Sequence, residues 1–133
     1  MTRNEDDSAS PQAWLQHAKS NLILAERGRR IKGVLLEDLC FNAQQAAEKA
    51  LKAVCIQHNL DFPKTHSLVR LMDILEAGSI SMPDEVKQAD VLTQYAVQAR
   101  YPEWEEEITE EEYKDVLALA ARVVFWTEKT LAE

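Results

Sequence analysis

The sequence is poor in the residues that end helices. Its 133 residues include only three glycines and four prolines, while 46% are hydrophobic. Glycine and proline mark turns and helix ends, so their scarcity favours a few long helices joined by short loops. Strand-like alternation of useful length and internal repeats are absent as well. We therefore expect an all-α fold, an antiparallel up-and-down bundle of four to five helices.

The sequence also lacks long apolar runs and cysteine motifs. No segment approaches the roughly 20 apolar residues that a membrane span needs. The first ten residues, MTRNEDDSAS, are polar and acidic, unlike a secretory signal. Cys40 and Cys55 fall in one predicted helix, about 22 Å apart, too far to form a disulfide, and no Cys/His cluster suggests a metal. We expect a cytoplasmic protein without cofactor or membrane contact, with a disordered leader (residues 1–9) and one domain (residues 10–133).

Positive charge is scarce and uneven. The net charge is −8, and sixteen of the 23 acidic residues lie in residues 59–133. Broad nucleic-acid binding needs a basic face, so this balance disfavours it. The local exception is Arg27, Arg29, Arg30 and Lys32, between the first two predicted helices. This group is complementary to the acidic run 103–112, and the two are either solvated surfaces or a means of steering association.

The most informative segment is residues 39–56, LCFNAQQAAEKALKAVCI. Small or apolar residues recur there at helical spacing and draw one stripe, formed by Leu39, Cys40, Ala43, Ala46, Ala47, Ala50, Leu51 and Val54. The opposite face is polar, with Gln44, Gln45, Glu48, Lys49 and Lys52. Alanine adds little bulk, so neighbouring helices can approach closely. We expect this helix, about residues 34–58, in the middle of the bundle.

Helix start and stop signals divide the rest of the chain. Ser10 and Pro11 begin a helix that runs to about Arg27. Thr65 or Ser67 caps a third helix over about 66–77. Ser81 and Pro83 begin a fourth, whose inward residues are Val86, Ala89, Leu92, Ala96 and Ala99, and Pro102 ends it. Thr109 and Glu112 form a capping box for a fifth helix, which runs to about Leu131.

Three motifs give the chain a family resemblance. The segment FNAQQAAEKALKA (residues 41–53) resembles the signature helix of the HEPN family, small helical prokaryotic domains often encoded beside a minimal nucleotidyltransferase. Lys64-Thr65-His66-Ser67-Leu68 and Ala99-Arg100-Tyr101-Pro102 follow in the family's order, and the match covers roughly residues 12–130. The resemblance implies a bundle that commonly forms a homodimer. The apolar block Val123–Trp126 is either buried or used in such a contact.

The motif of the family's ribonucleases is incomplete here. Those members carry an arginine followed, after four to six residues, by a histidine. Arginine holds a phosphate as a planar fork, and histidine exchanges a proton near neutral pH. Arg100 lies at the matching place, but Glu105, Glu106 and Glu107 occupy the positions for histidine. We therefore expect binding rather than cleavage.

The resemblance and the residue chemistry together yield six candidates for nucleotide binding: Arg100, Tyr101, His66, Lys64, Lys49 and Lys52. Five of them, all but Lys64, have a structural alternative. Arg100 can cap a helix end, Tyr101 can pack under Pro102, and His66 can make a local hydrogen bond at the third helix start. Lys49 and Lys52 are expected on a solvated surface.

The resulting hypothesis is a regulatory subunit that presents a nucleotide or RNA end to a separately encoded nucleotidyltransferase, as in a toxin–antitoxin pair. The alternatives are a degenerate ribonuclease that uses Arg100 and a structural adaptor without a ligand.

Overall fold

The computed structural model describes residues 9–96 and 107–133. These residues form α-helices and no strand, which confirms the all-α bundle. Residues 1–8 of the expected leader lie outside the described part. The helices are α1 (Pro11–Arg27), α2 (Leu36–Gln57), α3 (Leu68–Ala77), α4 (Asp84–Lys87) and α5 (Glu110–Ala132), with 3₁₀ segments at Gly28–Arg30 and Gln88–Tyr95.

Helix α2 is the central element, as its alanine stripe predicts. It packs against α1, α3, α5 and the second 3₁₀ segment. All eight residues of the stripe are buried, and six of them have no exposed surface, among them Ala46, Ala47 and Ala50. Because these side chains are small, backbones can lie close to α2 on several sides at once.

Three helices begin at hydroxyl caps that the sequence predicts. Ser10 caps α1 and Ser67 caps α3, each accepting a backbone N–H three residues later. Thr109 caps α5 by accepting the N–H of Glu112 at 3.1 Å. The capping box is only half formed, however, because the Glu112 carboxylate accepts a hydrogen bond from the Tyr95 hydroxyl instead. The acidic residue thus ties α5 to the second 3₁₀ segment.

The fourth helix differs from its prediction. Only one α-helical turn forms before the chain tightens into the 3₁₀ segment Gln88–Tyr95. The buried residues Val86, Ala89, Leu92 and Tyr95 recur every three positions. A 3₁₀ helix has three residues per turn, so this spacing puts all four on one line, whereas an α-helix would rotate them apart. Ala96, the next predicted inward residue, is half-buried at the end of this segment, and Ala99 and Pro102 lie outside the described residues.

The segment between α2 and α3 carries the chain back along α2. It turns at Asn59, which has φ of 57°, and the N–H of Leu60 donates to the carbonyl of Cys55. It then reaches the middle of α2, where the Gln44 amide donates to the His66 carbonyl at 3.2 Å. This return path places His66 beside α2.

The α1–α2 connection meets the start of α5. The Tyr113 hydroxyl donates to the carbonyl of Ala25 at 2.6 Å. Arg29 in the connection forms an ion pair with Glu110 in the first turn of α5. Arg29 of the predicted basic group and Glu110 of the predicted acidic run are therefore neighbours in one molecule, while residues 103–106 of that run lie outside the described part. Every helix in residues 9–96 and 107–133 is too short or too polar for a membrane span.

Candidate functional site

The polar face of α2 is largely buried, which corrects the expectation that Lys49 and Lys52 lie on a solvated surface. Gln44 and Glu48 are almost fully enclosed, Lys52 is 7% exposed, and Lys49 is half-buried. The returning segment that contains His66 contacts this face. Burial of these polar groups is tolerable only if they are hydrogen-bonded to one another.

Glu48 is the centre of the resulting network. Its Oε1 accepts hydrogen bonds from Gln44 Nε2 at 3.1 Å and from Gln45 Nε2 at 3.3 Å. His66 Nδ1 lies 3.0 Å from the same oxygen. Its Oε2 accepts from Lys52 Nζ at 3.0 Å. Four side chains therefore converge on one buried carboxylate.

Charge within the network is balanced. Burial alone would raise the pKa of Glu48, but the attraction of Lys52 and the hydrogen bonds from His66, Gln44 and Lys52 outweigh it, so the net pKa shift is downward. The Lys52 ammonium also lies 5.7 Å from the ring centroid of Trp14 and 5.6 Å from that of Phe62. Both distances are within the range of a cation–π contact. Glu48 is thus an ionised acceptor, and Lys52 is its counter-ion.

His66 connects this interior to the surface. Its side chain is 68% exposed, whereas the Glu48 side chain that it contacts is 4% exposed. The prediction that His66 makes a local hydrogen bond at the start of α3 is wrong. Ser67 caps α3 instead, and the His66 ring contacts Glu48 on α2. Lys64, two residues earlier, is exposed. An imidazole and an ammonium are therefore available to a ligand on this short stretch of chain.

Lys49 belongs to a second, smaller chain of hydrogen bonds. Its Nζ donates to Asn21 Oδ1 at 2.8 Å, and Asn21 Nδ2 donates to Asn42 Oδ1 at 2.9 Å. Partial burial lowers the pKa of Lys49, and the charge of Lys52 lowers it further, although Glu48 acts in the opposite direction. Its hydrogen-bond partner Asn21 is neutral, so the charge of Lys49 is not directly paired with a carboxylate as that of Lys52 is.

The structure brings together two of the six candidates, because His66 and Lys52 both contact Glu48. Lys49 lies on the same helix as Lys52, and Lys64 lies two residues before His66. Arg100 and Tyr101 lie outside the described residues. Among the residues that are described, no group of three or more His, Cys, Asp or Glu side chains could hold a metal ion.

Glu48 and Gln44 are the site residues that the sequence analysis missed. Gln44, Glu48 and Lys52 follow one another at four-residue spacing, the register that places side chains in contact along a helix. That four-residue spacing was the sequence signal for a network along α2. No sequence signal indicated the contact between His66 and Glu48, because this contact depends on the return path of the α2–α3 segment.

Comparison with known proteins identifies the family. The pattern of the HEPN domain matches residues 11–130, nearly the whole chain. The chain belongs to the HEPN family, as its three motifs suggested. A crystal structure of an archaeal HEPN homologue superposes with a TM-score of 0.68 at 24% sequence identity, covering 92% of this chain and 98% of that one. No curated protein matches the chain.

Proposed function

We propose that this HEPN protein binds a nucleotide or a nucleic-acid end without cleaving it. The observation that carries the proposal is the placement of His66, an exposed imidazole anchored to a buried and ionised Glu48. Lys64 supplies a positive charge beside it. A nucleotide offers the phosphate for the lysine and polar nucleoside groups for the histidine, so the pair suits this class of ligand.

The construction of the network supports a binding role. Burying Glu48 and Lys52 costs several kcal/mol of desolvation for each ion, and their attraction offsets this only with good geometry and additional hydrogen bonds. A buried ion pair is therefore weak support for stability as such. Its result here is one surface side chain in a defined position, which is what ligand recognition requires.

The proposal includes a partner. HEPN domains with this signature often accompany a minimal nucleotidyltransferase, and we propose that this chain presents the bound group to such an enzyme, in a toxin–antitoxin-type pair. Co-expression with a nucleotidyltransferase encoded by an adjacent gene tests this part. Co-purification at a fixed stoichiometry is expected, and separate elution of the two proteins would contradict it.

Calorimetric titration with ATP and with a short single-stranded RNA tests binding. We expect the unmodified protein to give heat of binding, and the variants Lys64→Ala and His66→Ala each to give less. Lys114→Ala removes an exposed lysine from α5 and serves as the matched control. No heat with either ligand at millimolar concentration would favour the structural adaptor.

Incubation with RNA separates binding from cleavage. Three glutamates occupy the positions where the family's ribonucleases have a histidine, and their charge repels phosphate. We expect intact RNA. Cleavage that disappears in Arg100→Ala would establish the degenerate ribonuclease instead.

We propose further that the protein is a homodimer. Five of the large exposed apolar side chains belong to residues 23–35, at the end of α1 and in the connection to α2: Ile23, Leu24, Ile31, Val34 and Leu35. Clusters of this kind commonly mark interfaces. The exposed cations Arg27, Arg30 and Lys32 lie among them, and the acidic start of α5 is adjacent through the Arg29–Glu110 ion pair.

A surface that carries both signs side by side is complementary to itself. In a two-fold dimer, the same patch meets its own copy, so the basic group of one protomer can face the acidic group of the other. This arrangement supports a second copy of the chain as the occupant of the apolar surface.

A further inference from the structure

We infer that Glu48 keeps a proton on His66 Nδ1, so that in the neutral form of the ring His66 Nε2 accepts a hydrogen bond from the nucleoside part of a ligand rather than contacting its phosphate. This inference rests on the proposed function and assigns a separate task to each of the two exposed side chains. Glu48 is then a positioning residue for the binding site.

The position of the proton follows from the hydrogen bonds of Glu48. An ionised carboxylate has only acceptor sites. Its Oε1 already accepts from the amides of Gln44 and Gln45, and His66 Nδ1 lies 3.0 Å away. A bare Nδ1 would set its lone pair against those of the carboxylate in a buried setting. Nδ1 must therefore carry the hydrogen and donate it.

The outward nitrogen has the complementary property. A neutral imidazole has a single N–H, so a proton on Nδ1 leaves Nε2 with a lone pair. The His66 side chain is 68% exposed, and Gln44 also holds the His66 backbone by donating to its carbonyl. The structure thus offers a fixed acceptor at the surface.

The chemistry of that acceptor selects the part of the ligand. A fully ionised phosphate has acceptors and no donors, so it gains nothing from Nε2 of a neutral ring. Ribose hydroxyls and the N–H groups of a base are donors and can bind there. Lys64, an exposed cation with three donors, remains for the phosphate.

Nitrogen-15 NMR of the ligand-free protein tests the tautomer directly. Long-range ¹H–¹⁵N correlation spectra at alkaline pH, where imidazoles are neutral, distinguish Nδ1–H from Nε2–H rings. We expect Nδ1–H at His66, whereas the exposed His17 and His58 serve as internal references. Glu48→Gln should shift His66 towards Nε2–H, because an amide can donate to Nδ1. Glu111→Gln, an exposed change on α5, should not.

Two half-ligands then test the division of tasks. Adenosine should perturb the His66 ring, and His66→Ala should weaken its binding about tenfold, the effect of about 1.4 kcal/mol. Tripolyphosphate should perturb Lys64. Its affinity for His66→Ala should be within about twofold of its affinity for the unmodified protein, since it is held only by the charge of Lys64. The reverse pattern, with tripolyphosphate dependent on His66, would overturn the inference.

The two experiments separate this inference from the function on which it rests. An Nε2–H ring at His66 would overturn the inference even if nucleotides bind. An Nδ1–H ring in a protein that binds neither half-ligand nor ATP would overturn the proposed function and leave Glu48 as a purely structural anchor. Circular dichroism of each variant checks that the helices are intact.

Discussion

At the scale of single residues, Lys52 decides whether Glu48 can remain buried and ionised. The two side chains are 9% and 4% exposed, and their charged atoms lie 3.0 Å apart. Lys52→Met removes the counter-ion and leaves a buried carboxylate without one. We expect a loss of about 3 kcal/mol in the free energy of unfolding, measured by urea denaturation monitored by circular dichroism.

Lys49→Met is the matched control on the same helix. Lys49 bonds to the neutral Asn21, so its removal uncovers no charge, and we expect a loss of about 1 kcal/mol. The double variant Glu48→Gln/Lys52→Met should recover part of the loss, because neither charge is then left alone. Equal losses for Lys49→Met and Lys52→Met would contradict this account of the network.

Glu48 also gives the stability a defined dependence on pH. Its pKa in the folded protein lies below the ordinary value of 4.5. A carboxyl group with a lowered pKa contributes stability that is fully present above its unfolded pKa and is lost as pH falls through the folded pKa. We expect the stability advantage of the unmodified protein over Glu48→Gln to be constant near neutrality and to shrink below about pH 4.5. An advantage that grows on acidification would show that Glu48 is not the ionised acceptor.

Cys55 tests the burial of α2 by chemical reactivity. Burial raises the pKa of its thiol to about 12, and the thiolate is the reactive form. We expect no alkylation of Cys55 by iodoacetamide at pH 8 in the folded protein and rapid alkylation in guanidinium, located by peptide mass spectrometry. Fast modification of the native protein would mean that α2 is not enclosed.

At the scale of the elements, Thr109 is the hydroxyl cap of α5. Glu112 bonds to Tyr95 rather than back to the cap, so Thr109 alone satisfies an N–H of the first turn. We expect Thr109→Ala to lower the free energy of unfolding by about 1 kcal/mol. Thr109→Ser keeps the hydroxyl and should therefore retain most of the stability that the cap contributes. The same loss in both variants would assign the effect to the threonine methyl group.

The helices were predictable where one local rule determined them. Hydroxyl caps at Ser10, Ser67 and Thr109 act within a single turn. The alanine stripe of α2 repeats one periodic pattern over about four turns. The prediction for the α4 region was wrong because the short stretch of sequence fits both the α-helical and the 3₁₀ period. Val86, Ala89 and Leu92 fit either an α-helix or a 3₁₀ helix, and only the burial of Tyr95 selects three residues per turn.

The site was less predictable because it depends on contacts between distant parts of the chain. Polar residues on one face of a helix normally indicate solvent, and Gln44, Glu48 and Lys52 follow that pattern in sequence. They are buried because the α2–α3 segment returns along this face and His66 completes the network, a contact across 18 positions of sequence. His66 and Lys64 could be singled out by motif, whereas the partner of His66 required the fold.

At the scale of the whole molecule, the charges around residues 23–35 predict how two copies associate. Arg27→Glu/Arg30→Glu/Lys32→Glu makes the patch acidic, and Glu107→Lys/Glu111→Lys places two cations in its acidic neighbourhood; all five side chains are exposed. Each variant alone would set like charges against each other across the two-fold axis. We expect the dimer dissociation constant of each variant, measured by analytical ultracentrifugation, to be at least about tenfold higher than that of the unmodified protein, a change of about 1.4 kcal/mol.

Mixing the two variants provides the decisive comparison. In the mixed dimer, acidic groups of one protomer face basic groups of the other at both halves of the interface, so association should recover and should weaken as salt is added. Phe125→Ser removes the exposed aromatic side chain of α5, which is 62% exposed and lies in the apolar block Val123–Trp126. If that change dissociates the dimer while both charge variants remain dimeric, the α5 block and not the α1–α2 connection forms the interface.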